Sequence, residues 1–455
     1  MYIDQVSNPA DAGVVEAIGL LARREVSSRE LVESCLARIE ERDGKHSHEG
    51  DRGSINAWVR VYEEDALAAA DRADARLARG DAPPLCGVPV GLKDLYAVAG
   101  KPLTASSRVL DDVPDRSCAA WARLEAAGMV LLGHLHTHEF AAGGTTDQVG
   151  NPWALDRSAG GSSGGSAAAL AARMTPAATG SDTAGSLRIP SAFCGTSTIK
   201  PTRGSTPVRG LVPLARTFDH AGPMARSLED CEPLLAALQG ASRPSQREPL
   251  RRVAVSPRVP LVEIEPDVAD GFEAALAACG SLGAEVVDVP PPDVDLDLGL
   301  AFLDVVCAEM LAYHRRFDDL RELYRPSIRG FLEYAENRAL TAGEYIAIQE
   351  RREESTAVWL DWFAEHRIDA LVEPTVPIVA RPRGRGYDEA FTDVAEISLT
   401  HYWDWTGFPV VSLPSGVGAR SGLPVGVSLV GAAQTDWDLL AAGVGLQSRL
   451  GIPAP

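Results

Sequence analysis

Apolar positions recur at helical spacing over the first eighty residues and then give way to shorter, β-rich runs. Residues 13–42 read as one helix, in which Ser27 and Glu30 have the spacing of a capping box ahead of LVESCLARIEER. After the polar break GKHSHEGDRGS, residues 63–79 (EEDALAAADRADARLAR) read as a second helix. Residues 85–98, LCGVPVGLKDLYAV, form an apolar β-rich run with Lys93 in its middle. A helix over 117–127, a strand over 129–132, β-like pieces at 196–200 and 208–214 and a helix over 227–238 follow. Strand 251–256, helix 266–279 and strand 284–289 make a β-α-β pattern, which favours a parallel sheet. Residues 297–365 are mostly helical, and strands at 368–374, 408–413 and 425–430 precede a final helix over 435–449. The alternation predicts an α/β fold around a mixed sheet. No clean boundary divides the chain: it reads as a single domain over 1–455, with 240–365 as a more variable helical lobe behind a polar surface connection at 239–250.

Residues 160–190, GGSSGGSAAALAARMTPAATGSDTAGSLRIP, fit none of these pieces. A flexible linker is the plain reading of GGSSGGS. Against it, the run leads directly into AAALAA, good helix-forming sequence, instead of joining two separable units. A glycine-rich loop feeding a helix presents backbone amides to anions and oxyanions.

Composition narrows the chemistry. The 455 residues carry a net charge of −20 and are 45% hydrophobic and 23% charged, as expected of a soluble globular chain. Such acidity repels phosphate backbones and argues against a nucleic-acid partner. Arg381, Arg383 and Arg385 in RPRGRG form the one basic candidate, read as a solvated loop. No apolar run reaches membrane-spanning length and MYIDQVSNPADAG lacks the features of a signal peptide, so a cytoplasmic protein without membrane association is expected. The seven cysteines are widely spaced and form no CxxC pair, so they read as reduced thiols, with no metal site and no disulfides.

Three residues stand out for chemistry. Lys93 lies in an apolar strand, where burial lowers an amine's pKa and makes it a candidate base. The alternative, a lysine that snorkels to water or pairs with Asp94, stands equally on the strand pattern. Ser162 and Ser186 sit in glycine-rich turns that can project a hydroxyl beside free amides. A serine nucleophile needs an activating base, and lysine can take the place of histidine.

These residues resemble the amidase signature hydrolases. The likeness is carried by GVPVGLKD at 87–94, NPWALDRSAGGSSGGSAAA at 151–169 and GSDTAGSLRIPSAFCG at 180–195, with Ser162 and Ser186 24 residues apart. VSSRELVESCLARIE, INAWV, DALVEPTVP and GFPVVSLPSG extend it over most of the chain, least so over 235–365. The resemblance implies a large mixed sheet flanked by helices on both faces. It also implies cleavage of a carboxylic amide through an acyl-enzyme on Ser186, without a cofactor or a metal. Ser162, following Gly161 through a cis peptide, would relay a proton to neutral Lys93. The backbone amides of Thr183, Ala184, Gly185 and Ser186 would form the oxyanion hole, with Asp182 and Arg188 in support. A small-molecule amide is the implied substrate, and the resemblance admits a homodimer. The alternative is the glutamine-cleaving component of a glutamine-dependent tRNA amidotransferase, its A subunit, although EISLTHYWDWTG lacks the acidic residue expected to hold glutamine's amino group.

Two departures from the family pattern stand out. Ala184 occupies a position where many members carry glycine, and HLHTHEF places His134, His136 and His138 in alternation. Zinc binding is the sharp reading of the histidines; shaping of the substrate pocket is the other. The aromatic residues Tyr402, Trp403, Trp405 and Phe408, with Tyr313, Tyr324, Phe331 and Tyr334, are pocket walls or ordinary core.

Overall fold

The computed structural model describes residues 8–241, 250–384, 386–392 and 394–455. Thirteen strands form among them. They are β1 (Trp58–Val61), β2 (Pro89–Lys93), β3 (Val130–Leu135), β4 (Gly150–Asn151), β5 (Ala154–Ser158), β6 (Ala177–Asp182), β7 (Ser197–Lys200), β8 (His220–Ala225), β9 (Arg252–Val255), β10 (Glu285–Val287), β11 (Ala370–Pro374), β12 (Val410–Val417) and β13 (Pro424–Val430). Eleven join in one sheet, in the order β1-β3-β2-β6-β8-β7-β12-β13-β11-β9-β10, and β4 and β5 pair as a separate ribbon. Two parallel stretches, β3-β2-β6 and β11-β9-β10, flank an antiparallel centre. Every residue of β2, β6, β8, β11 and β13 is buried, so helices cover both faces of the sheet.

The helix over 63–79 forms as read, Glu63–Arg79, and the Ser27–Glu30 capping box is present in both directions. The expected helix over 13–42 is two, Val14–Arg23 and Ser28–Arg42, because Arg24 turns left-handed (φ 56°) and Ser27 starts the second. Residues 208–214 form no strand, only a bridge from Leu211 to Tyr96. β6 and β8 carry little strand signal, since AATGSD has one β-branched residue, Thr179, and HAGPMA has none. Most of the connection at 239–250 lies outside the described residues, as does Arg385. Arg381 is exposed, but Arg383 is no solvated side chain: its guanidinium donates to the carbonyls of Asp147 (2.7 Å) and Gln148 (2.6 Å).

Candidate active site

The site gathers where β2 and β6 end. These strands are parallel neighbours, so Lys93, the last residue of β2, comes beside Ser181 and Asp182, the last two of β6. The carboxyl ends of parallel strands are where open α/β sheets place their ligand crevices. The turn 160–163 between β5 and the helix Gly164–Ala171 drops onto the same spot.

Lys93 is wholly buried, and its Nζ lies 2.7 Å from Ser162 Oγ, 2.8 Å from Ser163 Oγ and 2.9 Å from Ser181 Oγ. It therefore neither snorkels nor pairs with Asp94, whose carboxylate accepts from Thr104 and from the Ser106 N–H (2.8 Å). Burial lowers the Lys93 amine to about 7, against the opposing pull of Asp182 and Asp219. A neutral amine donates two hydrogen bonds and accepts one, which three serine hydroxyls can satisfy. The Gly161–Ser162 peptide is cis. The Ser162 carbonyl is fixed by the His138 N–H (3.0 Å) and the Thr146 hydroxyl (3.2 Å). Gly161 must be glycine, since a Cβ there would lie 2.1 Å from the Thr145 carbonyl oxygen.

The turn after β6 is built around Asp182. Its carboxylate accepts from the N–H groups of Gly185 (2.6 Å) and Leu187 (3.1 Å) and from Arg188 Nε and Nη2, both at 2.9 Å. Burial would raise this carboxyl, but the Arg188 guanidinium more than offsets it and holds the group well below the usual carboxylate range. Arg188 also donates to the Thr400 carbonyl (2.9 Å) and to Asp404 (2.6 Å), so the guanidinium is fully engaged within the protein. The expectation for Gly185 changes here. Its N–H points into Asp182, which leaves Thr183, Ala184 and Ser186 as the amides of the turn not bonded to that carboxylate. The positive φ of the turn falls on Gly185 (130°) and not on Ala184, so alanine is accommodated without strain. Thr183 donates its hydroxyl to Asp219 (2.6 Å), a carboxyl that burial pushes up to about 7.

Ser186 and Ala184 face a cavity of about 550 Å³. Of the aromatic residues anticipated as walls, only Phe331 lines it, joined by Phe302 and Phe391, which periodicity did not single out. Tyr402, Trp403, Trp405 and Phe408 are wholly buried in the core. The three histidines do not converge. His134 Nδ1 meets the Tyr62 hydroxyl (2.8 Å), His136 Nδ1 meets Ser106 Oγ (3.1 Å) and His138 Nδ1 donates to the Thr145 carbonyl (2.9 Å). Burial lowers all three, His136 and His138 to about 3, so they are neutral. Ser163 and Ser181 were missed in the sequence. Ser163 was legible as the neighbour of Ser162, but nothing local brings Ser181 to Lys93.

The family model Amidase matches residues 30–440. The chain belongs to the amidase signature family. It is 35% identical to the A subunit of the glutamyl-tRNA(Gln) amidotransferase of Roseiflexus castenholzii, over 94% of both chains. Among solved structures it superposes on an amidase with a TM-score of 0.85, at 32% identity, over 97% of this chain and 100% of that one. A 6-aminohexanoate cyclic dimer hydrolase gives 0.83 at 26% identity, over 96% and 97%. The mixed sheet is thus the fold of amidase signature enzymes, and the chain is an amide-cleaving enzyme. Among the described residues no helix is long and apolar enough to cross a membrane.

Proposed function

We propose that the chain hydrolyses a carboxylic amide through an acyl-enzyme on Ser186, releasing a carboxylate and ammonia or an amine. Neutral Lys93 takes up the Ser186 proton through the Ser162 hydroxyl, and Ser186 Oγ attacks the carbonyl carbon. The free amides of Thr183, Ala184 and Ser186 receive the developing oxyanion. The proton returns through the relay to the leaving nitrogen, and water then releases the acid. Asp182 and Arg188 hold the turn in shape. The helical segment 297–365 shapes the substrate space. No cofactor takes part in these steps.

The observation that carries this reading is the 2.7 Å contact between Lys93 Nζ and Ser162 Oγ, in a site so buried that the amine gives up its proton near neutral pH. Replacement Ser186→Ala tests it. Labelling by a fluorophosphonate and turnover of a cognate amide are both lost, turnover by about a thousandfold or more. Undiminished turnover in that variant rejects the assignment.

The close likeness to an amidotransferase component over nearly the whole chain favours a second reading, as the glutamine-cleaving member of an assembly. It requires glutaminase activity and copurification of a second protein. An isolated chain that is stable and ignores glutamine counts against it.

A further inference from the structure

Behind the turn that follows β6, the buried charges continue past Asp182 and Arg188 into side chains that the steps above do not use. β6 ends at Asp182 and β8 begins at His220, and the two residues pair in register across the sheet. His220 Nδ1 lies 3.2 Å from the Asp182 carbonyl and 3.4 Å from Asp404 Oδ1, which accepts no hydrogen bond from any other described residue. On the far side of the ring, His220 Nε2 lies 3.3 Å from Lys200 Nζ, which also donates to the Pro201 carbonyl at 3.4 Å. Lys200, His220, Asp182 and Asp404 are all buried, and neither Lys200 nor His220 lines the cavity beside Ser186.

The surroundings of the ring fix its proton. Nδ1 faces two acceptors and carries the hydrogen; Nε2 faces an ammonium and carries the lone pair. Burial, with Lys200 adding to it, lowers the imidazole, so the ring is neutral. Burial also lowers the Lys200 amine, to about 8, and leaves it charged at neutral pH. The Asp182 carbonyl belongs to the same peptide as the Thr183 N–H, one of the amides proposed to receive the oxyanion. A peptide whose carbonyl accepts a hydrogen bond is polarised and donates more strongly through its N–H. The chain of donors runs from Lys200 to His220 Nε2, from His220 Nδ1 to the Asp182 carbonyl, and from the Thr183 N–H to the reacting oxygen.

We infer that His220 and Lys200 are positioning residues for the oxyanion hole: the imidazole fixes and polarises the Asp182–Thr183 peptide, and the lysine holds the imidazole in the tautomer that does so. The inference rests on the hydrolase reading and adds to it a buried cation that acts on the reacting oxygen without touching it.

The test compares the parent with His220→Leu, His220→Asn, Lys200→Met and the variant carrying both His220→Asn and Lys200→Met, by fluorophosphonate labelling of Ser186 at neutral pH. Asparagine puts a carboxamide N–H where Nδ1–H stands but does not extend to Lys200. The maximal labelling rate falls about thirtyfold in His220→Leu and about fivefold in both His220→Asn and Lys200→Met, while the probe concentration giving half that rate is unchanged. In the double variant the loss stays at about fivefold, because Lys200 acts only through the ring. Losses that multiply in the double variant overturn the inference. Labelling of the variants at the parental rate overturns it alone, whereas a parent that is not labelled overturns the hydrolase reading with it. His220→Leu is the variant least able to fold, and the other three carry the comparison without it. Nitrogen NMR of the histidine rings reads the tautomer in the parent itself. The signals that vanish in His220→Asn belong to a neutral ring protonated at Nδ1, and protonation at Nε2 overturns the inference whatever the labelling rates.

Discussion

Lys93 shows how little a residue's type says about its state. On the strand pattern alone it could have reached water or paired with Asp94. In the fold it meets three hydroxyls, and among the described residues no carboxylate is bonded to its Nζ. Burial is then the dominant influence, and the amine titrates near 7. Below that pH it is protonated and cannot accept from Ser162; above it the lone pair is available. The rate of amide hydrolysis is therefore expected to climb up to about tenfold per pH unit below pH 7 and to level off above it. Lys93→Arg, whose guanidinium keeps its proton, abolishes activity. A flat profile between pH 5.5 and 8.5 sinks the role of neutral lysine. Lys93, Ser162 and Ser186 were legible because a local motif surrounds each. Ser181 was not, since it lies eighty-eight positions from Lys93 and only the strand pairing joins them.

At the scale of elements, the turn after β6 is held by one carboxylate. Asp182 neutralises Arg188 and receives two backbone N–H groups, which sets the path from Thr183 to Leu187. Asp182→Asn keeps the shape of the side chain but leaves Arg188 with only Asp404 as a charged partner. Removing one member of a buried ion pair costs about 3–5 kcal/mol, so the variant should melt well below the parent and lose most of its turnover. A thermal melt and a rate assay check both, and an unchanged melting temperature would mean that the turn is held by other contacts. The helices near the start were readable because their apolar period and caps are local signals. β6 and β8 were hidden for a spatial reason. A Cβ on either Gly180 or Gly222 would lie 2.5 Å from a Leu187 methyl, so the strands carry small residues to make room for a side chain from another element.

For the whole molecule, the cost of burying acids follows from the same covered sheet. Glu373, in β11, is 1% exposed and accepts from the Trp403 indole; burial pushes its carboxyl up to about 7. An acid raised in the folded state favours folding at low pH. That advantage is lost as pH rises from its unfolded value of 4.5 to about 7, above which stability is level with respect to this group. Glu373→Gln removes the dependence. The variant should gain thermal stability relative to the parent at pH 8 and gain little at pH 4.5, as read by melting temperature across that range. Parallel curves would show that the group does not hold its proton in the fold.

The chain by itself determined most of the helices, the strands at β2, β3 and β9 to β13, the family motifs and the two candidate serines, because each is written in residues close together in sequence. The tertiary structure decided what those residues are. Pairing of β2 with β6 put Lys93 among three hydroxyls, and packing on both faces of the sheet took away the water that would have kept it charged. The same packing sent Tyr402, Trp403, Trp405 and Phe408 into the core and left Phe302, Phe331 and Phe391 to line the cavity beside Ser186. Burial and contact between distant segments set protonation and access, and neither has a local signature in sequence.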